Sequence, residues 1–148
     1  MIRRASAGDE ADIRACAEQA YARYVPLIGR KPAPMIADFA ARIAAGEVHV
    51  AVDERDRLQG FIVFRAEEGY VLLENVAVRP DAAGRGVGKG LIGFCEEATR
   101  DLGLDTVHLY TNEAMSENLA IYPRLGYAEV GRRTEDGFNR VYFEKTLS

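Results

Sequence analysis

The run Val76-Ala77-Val78-Arg79-Pro80-Asp81-Ala82-Ala83-Gly84-Arg85-Gly86-Val87-Gly88-Lys89-Gly90 carries the strongest chemical signal in the chain. A strand-like segment passes through a tight loop into a helical one. Glycines let a backbone adopt positive φ and approach a bound group closely. The first N–H groups of a helix lack internal partners, and together with the helix dipole they form an anion site. Arg85 and Lys89 add positive charge there. The chemistry predicted is the cradling of a phosphate-bearing ligand. Two common phosphate motifs do not fit. A P-loop requires a glycine five positions before the G-K pair and a hydroxyl after it, but Ala83 and Gly90 stand there. The dinucleotide fingerprint G-x-G-x-x-G fails too: Gly84-x-Gly86 leads to Lys89, and Gly86-x-Gly88 leads to Leu91.

Other residues suit proton transfer. Glu74 lies in the otherwise mostly apolar run Tyr70–Val78. A carboxylate there is costly unless paired, and burial would raise its pKa toward a working range. Strand alternation places Glu74 on the face of Val76 and Val78 unless a bulge intervenes. Asn118 precedes Tyr122 by one helical turn, so the two share a helix face. His108 sits on a short predicted strand, and His49 reads as a packing residue. Cys16 and Cys95 form neither a metal-ligand pattern nor a disulfide framework, so no metal site is expected.

These groups must be positioned by a series of short elements. Ile2–Ala5 reads as a strand, and Ser6 or Asp9 as the cap of a helix running to about Tyr24. Pro26, Gly29, Pro32 and Pro34 predict a loop before a second helix, Met35–Ala45. The period then becomes strand-like over Glu47–Val52, Leu58–Arg65 and Tyr70–Val78. Gly86–Leu102 is helical, with Val87, Leu91, Phe94 or Cys95, Ala98 and Leu102 as its apolar stripe. Thr106–Tyr110 is a strand and Ser116–Leu125 a helix capped by Gly126. Tyr127–Arg132 and Phe138–Thr146 are strands joined at Asp136-Gly137. The order implies antiparallel hairpins in the first half and a parallel pairing of Tyr70–Val78 with Thr106–Tyr110. An α/β fold follows, with a mixed, mostly antiparallel sheet and helices on both faces.

Composition narrows the classes. The chain has 148 residues, 48% hydrophobic and 28% charged, which suits one domain over residues 1–148. Nineteen Lys and Arg face 23 Asp and Glu, a net charge of -4 that offers no basic surface for nucleic acid. No apolar run reaches membrane-spanning length, and residues 1–10 lack the core of a signal peptide. With the isolated cysteines, this predicts a cytoplasmic protein with no membrane partner.

Arg85-x-x-Gly88-x-Gly90 resembles the R/Q-x-x-G-x-G/A motif of the GNAT family of N-acetyltransferases, and Val76–Pro80 is similar to the strand that precedes it there. Downstream, Ile121-Tyr122-Pro123-Arg124-Leu125-Gly126-Tyr127 resembles that family's L-Y-x-x-x-G-F block. The local resemblance spans about Leu72–Tyr127, and the derived element order agrees with the family fold.

The resemblance implies that acetyl-CoA is the cosubstrate and that its acetyl group passes directly to a primary amine in a ternary complex. It would bind between two parallel strands that splay apart, here Tyr70–Val78 and Thr106–Tyr110. Its pyrophosphate would rest on the amides of Gly84, Arg85, Gly86, Val87, Gly88, Lys89 and Gly90. Its pantetheine arm would pair with the backbone of Val76, Ala77 and Val78 like an added strand, with an N–H near Val76 as oxyanion donor. Tyr122 matches the position that protonates the leaving thiolate. Glu74, His108 or water would take the amine proton. Where many members carry an asparagine this chain has Met115, so Asn118 is the candidate to replace its cofactor contact. Tyr21, Tyr24, Tyr70, Arg132, Arg133 and Phe138 are the candidate walls of the acceptor pocket. The acceptor class, small amine or peptide, and the oligomeric state, monomer or homodimer, stay open. So do a non-catalytic CoA-binding module and a different acyl group.

Overall fold

The alternation of apolar residues in the middle of the chain produces long strands, and the glycine and proline positions punctuate the helices around them. In the computed structural model, which describes all residues from Met1 to Ser148, β1 (Ile2–Arg4) leads through a 3₁₀ turn into α1 (Glu10–Tyr21). Then follow α2 (Val25–Ile28), α3 (Phe39–Ala44), β2 (Val48–Val52), β3 (Leu58–Ala66) and β4 (Val71–Val78). The second half comprises α4 (Val87–Asp101), β5 (Thr106–Asn112), α5 (Ser116–Arg124), β6 (Ala128–Glu135) and β7 (Phe138–Thr146). One seven-stranded sheet results, ordered β1-β2-β3-β4-β5-β7-β6. Only β4 and β5 pair in parallel, as the strand–helix–strand spacing predicts. No helix is long and apolar enough to cross a membrane.

The first half departs from expectation where proline is concerned. Pro26 does not break the chain. It sits in the first turn of α2, where its missing N–H costs nothing, and Gly29 ends that helix at φ 88°. The next helix starts later than Met35. Asp38 caps it by accepting from the Ala41 N–H at 3.1 Å, so the helix begins at Phe39. On α4 the inward residues are Leu91, Ile92 and Cys95, while Leu102 is 57% exposed rather than part of the stripe.

Apolar residues on both sheet faces give two core layers. Phe39, Phe61, Ile13 and Cys16 belong to the layer under α1 and α3, and Leu91, Cys95, Val107 and Phe143 to the layer under α4 and α5. The two cysteines therefore lie on opposite sides of the sheet, and burial pushes both thiols up to about 12, away from reactive thiolates.

Gly60 marks the tightest approach between strands. A Cβ there would stand 2.7 Å from the Ala77 carbonyl oxygen and 3.3 Å from Leu91. Backbone cannot yield as a side-chain tip can, so Gly60→Ala must displace β4. A loss of about 1–3 kcal/mol is expected, measurable as a lower denaturant midpoint.

At the start of the chain, the Arg3 guanidinium grips the Asp9 carboxylate through 2.8 Å and 3.0 Å contacts, and the Ser6 N–H donates to the same carboxylate. The Arg3 hydrogen bond, aided by the Ser6 amide, holds the Asp9 carboxyl down at about 2. Because the folded pKa lies below the unfolded one, this contribution is complete above about pH 4. It is lost as pH falls toward 2. Asp9→Asn should lower the melting temperature at neutral pH and flatten its decline in that acid window.

Candidate active site

The site begins at a defect in strand pairing. Across β3 and β4, Val63 lies opposite Asn75 but Phe64 lies opposite Leu73, so Glu74 is an extra, bulged residue. The bulge reverses the side-chain alternation. Leu73 faces the α4 layer, whereas Asn75 and Ala77 face the α1 layer. Pairing of β4 with β5 stops at Leu73, opposite Leu109, while β5 continues beside β7 to Asn112. The two parallel strands thus splay beyond the bulge.

That splay leaves one edge of β4 open. The Arg79 N–H donates to the Gln59 carbonyl, which makes this a hydrogen-bonded pair. Alternation along an antiparallel ladder then puts Asn75 and Ala77 in the bonded positions and turns the main-chain groups of Val76 and Val78 outward. The Val76 carbonyl indeed accepts from the Tyr21 hydroxyl, at 2.8 Å.

The glycine-rich segment continues from this edge. Pro80–Ala82 forms a 3₁₀ turn, Gly84 and Gly86 take φ values of 80° and 78°, and Gly86 caps α4. None of the N–H groups from Gly84 to Lys89 donates to a backbone carbonyl. The Gly90 N–H, by contrast, is committed to the Gly86 carbonyl at 2.9 Å. The donor cradle therefore ends at Lys89. Arg85 is exposed and does not line the cleft, and neither does Gly90.

A cleft of about 720 Å³ lies against this edge and cradle. Its near wall is Val76–Val78, Gly84, Gly86, Val87, Gly88 and Lys89, and its far walls come from α1 and α5. Arg23 and Glu117 join those two walls through a bidentate pair at 2.8 Å and 2.6 Å. A smaller cavity of about 260 Å³ opens beyond the bulge, between α3, β5 and β7. Tyr21, Val76, Asn118 and Tyr122 line both spaces and form the junction between them.

Tyr122 is buried at that junction. Its ring packs on Tyr127 and Phe143, with centroids 5.9 Å and 5.6 Å away. Burial raises its pKa above that of a free phenol, and no hydrogen bond opposes the shift. The hydroxyl is thus protonated at neutral pH. Gly126, at φ 95°, ends α5 and lets the Tyr127 N–H return to the Tyr122 carbonyl. Lys145 fixes the same corner, donating to Glu96 and to the Leu125 carbonyl, while Tyr127 donates to Glu96.

Tyr21 is the second phenol at the junction. Its hydroxyl lies 2.8 Å from both Asn75 Oδ1 and the Val76 carbonyl oxygen, and Asn75 Nδ2 donates to the Pro34 carbonyl. Asn118 Nδ2 turns to Thr111 Oγ1 at 3.2 Å. Asn75 carried no sequence signal, because its role depends on the bulge.

Glu74 lines the smaller cavity, but not as an isolated carboxylate on the Val76 face. It turns toward α3, bonded to Arg65 at 2.7 Å and 3.5 Å from Arg42. The bulge removes the alternation that would have placed it with Val76. Of the other expected pocket residues, Tyr21 and Phe138 line the smaller cavity, and Tyr24 lines the larger cleft instead. Tyr70 stacks on His108 at 4.1 Å, away from both spaces, and His108 faces Glu144. Arg132 pairs with Glu129, and Arg133 lies over Tyr142. His49 stacks on Phe64 and meets Phe94 at a tilt, and burial lowers its pKa, consistent with a packing role.

The seven-stranded mixed sheet with its single, splayed parallel pair has the form of the GNAT acetyltransferase fold. The model of the GNAT acetyltransferase domain matches residues 44–129. The chain belongs to the GNAT acetyltransferase family. Mycothiol acetyltransferase of Actinosynnema mirum is 39% identical over 80 residues, 53% of this chain and 27% of that protein. The chain thus spans about a quarter of the length of that curated relative. Among solved structures, the PaiA N-acetyltransferase from Thermoplasma acidophilum, in complex with coenzyme A, is similar with a TM-score of 0.80 and 16% identity. The alignment covers 99% of this chain and 98% of that one. A GNAT family acetyltransferase from Listeria monocytogenes has a TM-score of 0.75 and 19% identity, covering 99% and 94%. At these identities the structural likeness speaks for the fold.

Proposed function

We propose that the chain is an N-acetyltransferase that passes the acetyl group of acetyl-CoA directly to a primary amine. The observation that carries this reading is the junction itself. A long cleft with a phosphate cradle and a small cavity with polar walls meet at Tyr122 and the open Val76 edge. Cofactor and acceptor entering from opposite sides would meet there, and no covalent enzyme intermediate is needed.

The unpaired amides from Gly84 to Lys89 suit a pyrophosphate, with Lys89 adding charge. The outward groups of Val76 and Val78 suit the amides of a pantetheine arm. The Val76 N–H is the donor aimed at the thioester oxygen, which gains negative charge as the amine attacks. As the C–N bond forms and the C–S bond breaks, Tyr122 gives its proton to the departing sulfur. The amine must shed a proton as well. Glu74 is the carboxylate that the β4 bulge sets in the wall of the smaller cavity, and we assign it that proton through an intervening water. Glu74→Gln should lower kcat/KM about 100-fold while acetyl-CoA binding persists, the lower end of acid–base contributions. An unchanged rate would hand the step to water alone.

The direct test is amine-dependent release of CoA thiol. The reading predicts thiol formation that saturates in both acetyl-CoA and an amine, and initial-rate patterns that intersect as a ternary complex requires. Parallel, ping-pong patterns would contradict direct transfer. Running succinyl- and propionyl-CoA beside acetyl-CoA decides the acyl group.

A further inference from the structure

The smaller cavity holds one cation, Arg140, whose side chain makes no hydrogen bond within the chain, whereas Arg42 donates to Glu47. Arg140 stands on β7, opposite Asn112 of β5, and both line the cavity. Its side chain is only 13% exposed. The guanidinium lies over the Tyr110 ring, 4.7 Å from its centroid, and 5.7 Å from that of Phe138. Stacking against aromatic faces leaves the N–H fork free in its own plane. Its nearest carboxylate is Glu135 Oε1, at 3.7 Å. That exceeds hydrogen-bond range, and the same oxygen has no hydrogen-bond partner. Asn112 Oδ1 accepts from the Ala114 N–H, which leaves the Nδ2 hydrogens beside Arg140 for another acceptor.

The other charged side chains of the cavity already have partners of their own. Glu74 is bonded to Arg65, Arg42 is shared between Glu47 and Glu74, and Asp38 caps α3 at the exposed mouth. A planar cation with a free fork and a neighbouring amide donor matches a planar monoanion, a carboxylate, better than a phosphate dianion, which would call for further cations.

We propose that the amine acceptor is a small amino acid, its carboxylate held by Arg140 and Asn112 while its amino group reaches the Tyr122 junction. This rests on the acetyl-transfer reading and narrows its substrate class. A cavity of about 260 Å³ suits a single amino acid rather than a long chain. Glu135 weakens the carboxylate's hold without occupying the donors. Its removal therefore tightens binding.

The test compares L-amino acids of small and medium size with their carboxamides, which keep the amine and side chain but lose the anion. Each is assayed for CoA release and titrated calorimetrically into protein saturated with CoA. The wild type should prefer acid over carboxamide by about 10- to 100-fold in kcat/KM and in affinity, the range of a charge-assisted hydrogen bond. In Arg140→Gln the preference should collapse to near unity, and Arg140→Lys, which keeps charge but loses the fork, should restore part of it. Glu135→Gln should tighten binding of the acid, by up to about fivefold. Turnover of amines without a preference for the acid overturns the proposal and leaves acetyl transfer standing. Arg140-dependent binding of the acids without any acetyl transfer overturns the transfer reading and keeps only a carboxylate site at Arg140. Acids that neither bind nor react, with turnover confined to peptides, also overturn the proposal.

Discussion

Tyr122→Phe should lower kcat about 100-fold while leaving the affinity for acetyl-CoA and the melting temperature nearly unchanged. General acids contribute about 10²- to 10⁴-fold. The leaving group here is a thiolate, whose conjugate acid has a pKa near about 8.5, so it departs with less help than an alkoxide and the lower end applies. Stability should hold because the hydroxyl has no hydrogen bond within the chain to lose, and the ring contacts with Tyr127 and Phe143 survive the substitution. Calorimetry and single-turnover kinetics separate the two effects. A variant with full activity would leave Tyr122 as a packed aromatic and assign the sulfur's proton to solvent.

The second large effect belongs to Gly86. At φ 78° it occupies backbone space that a β-branched residue resists strongly. Gly86→Val should therefore twist the start of α4 and turn the Val87, Gly88 and Lys89 amides out of register. Acetyl-CoA affinity should fall about 100-fold, as expected for one or two lost hydrogen bonds to a charged group. Gly90→Ala is the control four residues on. Its N–H is already used inside the helix, and a Cβ there meets nothing within 4 Å. That variant should bind acetyl-CoA as the wild type does and gain about 0.5–1 kcal/mol, the usual difference between helical glycine and alanine. Equal losses in both variants would argue against a cradle ending at Lys89.

The contrast between these glycines shows how far the sequence could be read. The cradle was legible because it is a main-chain device, and glycine spacing at a helix start reports main-chain conformation directly. Tyr122 stood out through the block that ends at Tyr127, and it lies where the two spaces meet. The parallel pairing of β4 with β5 followed from the length of the connection. Glu74 was legible as an anomaly but not in its setting. Bulge and face are properties of pairing with β3, and its partners Arg65 and Arg42 lie on other elements. The smaller cavity was legible least. Tyr21 and Phe138 were foreseen as walls, yet Asn75, Arg42 and Arg140 come from separate strands and helices whose contact is set only by tertiary packing. Tyr70 and Arg132 were attractive residues by type, but one stacks on His108 and the other pairs with Glu129. The proline-rich loop misled for a related reason. Pro26 in the first turn of a helix and Pro26 in a loop look alike until the backbone is traced.

The most direct test is a calorimetric titration of acetyl-CoA into the protein, with NAD and ATP as controls for general affinity toward phosphates. The expected result is saturable, one-to-one binding of acetyl-CoA, weakened in Gly86→Val and retained in Tyr122→Phe, with neither control binding comparably. Absence of binding at millimolar acetyl-CoA by a folded sample would contradict it.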